Sequence, residues 1–159
     1  MNYKLREFVS RNFFSVIKMA LVYTKYYAQA ETFGRAIGFA YDALVHGPCS
    51  FDANATWKGL VERVKQGVYM GEGLLLPHTR VPGLAQPLMA FVVCPEGLTG
   101  IEVRGGEKAQ FMCVLLSPAE SATAHTMVIA DMAMKMLNPE WKAKALQVKS
   151  DAEIKALFE

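Results

Sequence analysis

Two stretches of the chain, LMAFVVC at residues 88–94 and AQFMCVLL at residues 109–116, are apolar with almost no polar alternation. Each has the length of a strand. A strand with one wet face alternates apolar and polar side chains, whereas one that is apolar throughout is buried on both faces. A sheet of such strands needs helices to cover it, which directs this chain to an α/β arrangement.

The surrounding pattern supplies the helices. Over residues 29–45, Phe33, Ile37, Ala40, Tyr41, Leu44 and Val45 recur at helical spacing, and His46-Gly47-Pro48 ends the run. A second helix runs from about Ala55 to Lys65, with Asp52, Asn54 and Thr56 as candidate caps and Gly67 closing it. Its inward side chains are Trp57, Leu60, Val61 and Val64. Pro118 opens a long helix whose face holds Met127, Ala130, Met134 and Met136. Pro139 opens a further one, and Ser150-Asp151 caps the last. Residues 14–23 and 74–76 read as strands, residues 101–103 as a short strand or turn, and residues 1–12 as a helix or arm. The expected architecture is a single α/β domain over residues 1–159, with a mixed sheet of about five strands and helices packed on its faces.

Composition excludes several classes of function. Apolar residues make up 52% of the 159 and charged residues 20%, which argues against disorder. A net charge of +2, with no basic run interleaved with aromatics, gives no reason to expect nucleic acid or an anionic membrane as partner. The apolar run at residues 13–23 is too short to cross a bilayer and is broken by Lys18, so no direct membrane insertion is expected. Cys49, Cys94 and Cys113 are widely spaced, which suits buried thiols in a reducing, cytoplasmic setting. No two His or Cys have metal-ligand spacing, so neither a metal nor another cofactor is expected.

The chain has three histidines. His46 sits beside a helix-ending Gly-Pro, a common structural placement. His78 is set differently, in GEGLLLPHTRVPG at residues 71–83. Pro77 restricts its own φ and pushes Leu76 towards extended geometry, while Gly71 and Gly73 admit positive φ and close backbone approach. The imidazole is thereby delivered at the end of a strand, beyond the last apolar side chain, where open α/β sheets tend to bind ligands. His125 lies on the long helix among the small residues Ala122, Ala124 and Thr126, and Arg63 lies near the end of the second helix.

The runs LVERVKQGVYMGEGLLLPHTRVPGLAQPLMAFVVCPEGL and FMCVLLSPAESATAHTMVIADMA resemble the enzyme IIA domain of the fructose/mannitol (nitrogen-regulatory) type, from the bacterial phosphoenolpyruvate-dependent sugar phosphotransferase system. The likeness is strongest over residues 60–136. It implies that His78 is the phosphorylated histidine, that His125 is the second histidine of the pocket, and that Arg63 is the arginine closing the E-R helix. It also implies two partners, a histidine phosphocarrier protein as donor and an enzyme IIB domain as acceptor, and leaves a weak homo-oligomer open. Two departures stand out. The stretch Gly67-Val68-Tyr69-Met70 replaces a Gly-Ser-Thr-Gly-like loop and is one residue shorter, and Glu72 replaces an Asn.

The implied chemistry is in-line transfer to a neutral imidazole, with Arg63 and His125 balancing the phosphoryl oxygens and backbone N–H groups near Gly71 and Gly73 as added donors. Leu74, Leu75, Leu76, Val81 and Leu84 are expected to provide an apolar collar for partner proteins. The rival expectations are a regulator that acts through its phosphorylation state and a non-phosphorylated scaffold of the same fold, for which Glu72 and the altered loop are the motive.

Overall fold

The computed structural model describes residues 20–159. Six strands and five helices follow in the order β1 (Leu21–Tyr26), β2 (Glu31–Thr32), α1 (Phe33–Val45), α2 (Ala53–Lys65), β3 (Leu74–Leu75), β4 (His78–Val81), β5 (Leu88–Thr99), β6 (Ala109–Pro118), α3 (Ala122–Leu137), α4 (Pro139–Ala145) and α5 (Asp151–Ala156). The two apolar runs are β5 and β6, paired antiparallel at the centre of one mixed sheet. β1 and β2 lie parallel to β5 on one side, and β3 and β4 lie parallel to β6 on the other.

The described sheet has six strands where about five were expected. The excess comes from short segments that share a neighbour. Leu74 and Leu75 pair with Phe111 and Met112, and His78 to Val81 pair with Leu115 to Pro118. Pro77, which has no N–H to donate, separates the two segments while its carbonyl still accepts from Leu115 N–H at 3.0 Å. His78 therefore stands at the break in an edge strand and opens its second half; it does not end the strand, as the apolar-run pattern had suggested.

The pleat sorts side chains to two cores. Leu75, Ala90, Val92, Met112, Val114 and Leu116 pack under α1 and α2. Leu74, Leu76, Met89, Phe91, Phe111 and Leu115 pack under α3, α4 and α5. Both central strands are thus buried on both faces, as their lack of alternation requires.

Several boundaries move. The strand expected over residues 14–23 is Leu21–Tyr26; residues 14–19, like the arm at 1–12, lie outside the described residues. α1 begins at Phe33 because extended Thr32 caps it, its side chain accepting from Arg35 N–H at 3.3 Å. Asp52 is the cap of α2, accepting from Ala55 N–H at 3.0 Å. Pro118 ends β6 and does not open α3, whose cap is Ser121. The buried stripe of α3 is Val128, Met132 and Met136, and Met134 is 64% exposed, so the expected methionine face was rotated. Residues 101–103 form no strand.

Candidate functional site

The Pro77 break places His78 on the sheet edge, where helices of both layers reach it. From one side comes α2. Its Gly59 runs so close to β4 that a Cβ there would lie 2.8 Å from Thr79 Oγ1. Arg63, one turn further along the same face of α2, is carried with it to an open cleft of about 260 Å³. That cleft is lined by Gly59, Glu62, Arg63, Gln66, His78, Thr79 and Arg80. Arg63 is exposed, and its side chain has no hydrogen-bond or ion-pair partner among the described residues. From the other side comes α3, whose first turns carry His125. The His78 and His125 ring centroids are 5.4 Å apart, with the planes inclined at 43°.

The His78 ring is half-buried, and its Nδ1 lies 2.7 Å from the Leu76 carbonyl oxygen. A carbonyl only accepts, so Nδ1 carries the hydrogen and the neutral ring has its lone pair at Nε2. Burial holds His78 below the ordinary histidine pKa; the Leu76 bond opposes that shift, and the Arg63 charge adds to it. His125 is also held low, first by burial, then by the charges of His78, Arg80 and Arg63. Both rings are therefore neutral near pH 7.

Arg80 escaped the sequence reading. It alternates with His78 along β4, lines the same cleft, and donates from Nη2 to the Ala119 carbonyl. Its signal was present in the His-Thr-Arg spacing, but only the pairing of Arg80 with Ser117 at the end of β6 brings it near His125.

The loop before His78 also differs from expectation. Gly71 and Gly73 adopt φ of 89° and 78°. A Cβ on Gly73 would lie 3.1 Å from the Lys108 carbonyl oxygen, so a close approach does require glycine there. The Gly73 N–H, however, is not a free donor: it bonds Tyr69 Oη at 3.2 Å. Tyr69 in turn bonds Glu107, so the altered 67–70 loop is braced by a phenol. Glu72 sits in the left-handed region at φ 54°, and its carboxylate takes an ion pair from Lys142 Nζ of α4 at 2.9 Å. That pair neutralises the charge that the sequence left unbalanced. The expected apolar collar is absent: Leu74, Leu75, Leu76, Val81 and Leu84 are all buried, because their positions face the two cores. His46 caps α1, with Nδ1 2.8 Å from the Asp42 carbonyl oxygen, and lies outside the cleft.

The family described as "Phosphoenolpyruvate-dependent sugar phosphotransferase system, EIIA 2" matches residues 15–159. The chain belongs to that family. Among EIIA relatives, it is 23% identical over 116 residues to the PTS system fructose-specific EIIA component of Haloferax volcanii, covering 72% of this chain and 75% of that one. Its fold is similar to that of nitrogen regulatory protein IIA-Ntr from Neisseria meningitidis, with a TM-score of 0.73, 24% identity and coverage of 90% and 99% of the two chains. It is also similar to Escherichia coli enzyme IIA mannitol, solved in complex with phosphorylated enzyme IIB mannitol, with a TM-score of 0.64, 17% identity and coverage of 84% and 92%. No described helix of this EIIA chain is long and apolar enough to cross a membrane.

Proposed function

We propose that this EIIA chain is a phosphocarrier that accepts a phosphoryl group on His78 Nε2 and passes it on. The observation that carries the reading is the Nδ1–Leu76 bond, which leaves a lone pair at Nε2 on a ring that burial keeps neutral. In the transfer, the N–P bond of a phosphohistidine donor breaks as a bond from His78 Nε2 to phosphorus forms. No proton need move: the donor ring leaves with the electron pair, and the His78 ring gains positive charge, which the Leu76 carbonyl stabilises through Nδ1–H. Arg63 offers an unengaged planar fork to the phosphoryl oxygens, and Arg80 and His125 lie beside it. Positioning and charge neutralisation are what such a transfer asks of a protein.

The donor in this reading is a histidine phosphocarrier protein and the acceptor an enzyme IIB domain, in a cytoplasmic relay serving sugar uptake. The Escherichia coli IIA mannitol complex with phosphorylated IIB supports the acceptor, and the Haloferax volcanii fructose component supports the transport role. A second reading draws support from the likeness to nitrogen regulatory protein IIA-Ntr: the same chemistry at His78, with the phosphorylation state as a signal and no IIB acceptor. The test is incubation with phosphoenolpyruvate and the two general phosphotransfer proteins, followed by intact mass. The expected result is one acid-labile phosphoryl group, abolished in His78→Ala and retained in His46→Ala. Subsequent loss of that group to added IIB domains favours transport over regulation. Label retained by the His78 variant defeats the assignment.

A further inference from the structure

Among the described residues, three are buried and polar: Thr56, Ser117 and Asp131. Ser117 is fully buried at the end of β6, and its Oγ lies 2.8 Å from His125 Nδ1. That ring nitrogen is the hydroxyl's one hydrogen-bond partner among the described residues. A buried hydroxyl left without an acceptor is costly, and a neutral imidazole offers one acceptor nitrogen. Satisfying Ser117 therefore requires its O–H to donate to Nδ1. The ring hydrogen of His125 then resides on Nε2, which has no partner among the described residues.

We propose that Ser117 is a positioning residue that fixes His125 as the Nε2–H tautomer and so makes it a neutral hydrogen-bond donor beside His78. Two adjacent histidines are thereby given opposite forms by their Nδ1 partners. The Leu76 carbonyl accepts a hydrogen bond from His78 Nδ1–H and so leaves Nε2 bare. The Ser117 hydroxyl donates a hydrogen bond to His125 Nδ1 and so leaves the ring hydrogen on Nε2. The bare nitrogen attacks phosphorus, and the protonated one meets a phosphoryl oxygen. With the reverse tautomer, His125 would present a lone pair to that oxygen and repel it. Burial and the charges of His78, Arg80 and Arg63 keep His125 neutral, so the tautomer, and not a second proton, decides what Nε2 offers.

The consequence for transfer rests on the phosphocarrier reading; the tautomer itself does not. The test uses the full chain labelled with ¹⁵N-histidine and long-range ¹H–¹⁵N correlation of the imidazoles, without any phosphodonor, with His125 assigned by its disappearance in His125→Ala. The expected spectrum shows His125 as Nε2–H; an Nδ1–H pattern overturns the proposal. In Ser117→Ala the pattern should shift towards the mixture of a free imidazole, and an unchanged tautomer there likewise overturns it. Phosphoryl acceptance should slow about tenfold in Ser117→Ala, by analogy with the low end of what hydrogen-bond partners of metal-bound imidazoles contribute. In a His125→Ala background the same substitution should cost nothing more; an equal loss there would make Ser117 merely structural. If the wild-type chain takes no phosphoryl group at all, the functional reading fails while the tautomer result stands on its own.

Discussion

A single hydrogen bond leaves Nε2 as the free nitrogen of His78, and in the phosphocarrier reading that has a chemical readout. With Nδ1 committed to Leu76, the phosphorylated chain should yield on alkaline hydrolysis only the histidine isomer substituted at Nε2; recovery of the Nδ1 isomer would contradict the geometry. His125→Ala should still accept a phosphoryl group, on the order of a hundredfold more slowly, as expected for loss of one donor to a charged transferring group. Arg63→Lys should also be slowed, because a point charge does not reproduce the planar fork. Single-turnover labelling measures both, and wild-type rates in the two variants would reduce the site to a lone histidine. The pH dependence follows from the depressed pKa of His78. Its neutral, nucleophilic form persists below the ordinary histidine value of about 6.5. Acceptance should therefore hold as pH falls through that value and decline only below it; a midpoint at or above it in a rate profile would argue against the burial described.

At the scale of elements, the contact that brings α2 to β4 is the most exposed to test. Gly59→Ala alone should press its methyl on Thr79 Oγ1, an overpacking cost of about 1–3 kcal/mol, set against a helix-propensity gain of about 1 kcal/mol. In a Thr79→Ala background the clash disappears and the same change should stabilise. Denaturant midpoints of the four proteins check the change of sign, and equal effects in both backgrounds would refute the contact. This level also shows what the sequence disclosed. Unbroken apolar runs identified β5 and β6, because burial on both faces leaves a compositional mark. Caps such as Ser150, and Asp52 among three candidates, were readable because a side chain there bonds its own helix, whereas Pro139 marked the start of α4 without disclosing that Asn138 caps it. The inner face of α3 was misread, since Met is apolar wherever it stands and only packing distinguishes Met132 from Met134. His78 stood out by its Pro-His setting, and His125 and Arg63 were singled out only through the family resemblance; the fold brings all three to one sheet edge. Arg80 and the Lys142 partner of Glu72 could not be picked out, because they act through strand register or helix docking across tens of residues, and Ser117 could not, because only the turn from β6 into α3 brings its hydroxyl to His125 eight residues on.

For the whole molecule, the two depressed histidines link stability to pH. In the unfolded chain both titrate near 6.5; in the folded chain burial holds their pKa values lower. As pH drops below about 6.5 the unfolded state binds protons first, so stability is complete above that pH and falls as the folded pKa values are approached. His78→Gln with His125→Gln should flatten this part of the profile in chemical denaturation at pH 5 to 7, and an unaltered slope would place the linkage elsewhere. A different consequence comes from where the site is hung. His78 and Arg80 pair with β6, Ser117 belongs to it, and His125 follows it within two turns of chain. β6 lies inside the sheet, and interior strands are the last to exchange their amide hydrogens, opening only when the entire molecule does. Fraying of β1 or α5 should leave the three β6-linked groups and Ser117 in place. On heating, loss of phosphoryl acceptance should then superimpose on the global melting curve, with no earlier phase of inactivation, and the amides of residues 111–117 should be among the slowest to exchange in the chain.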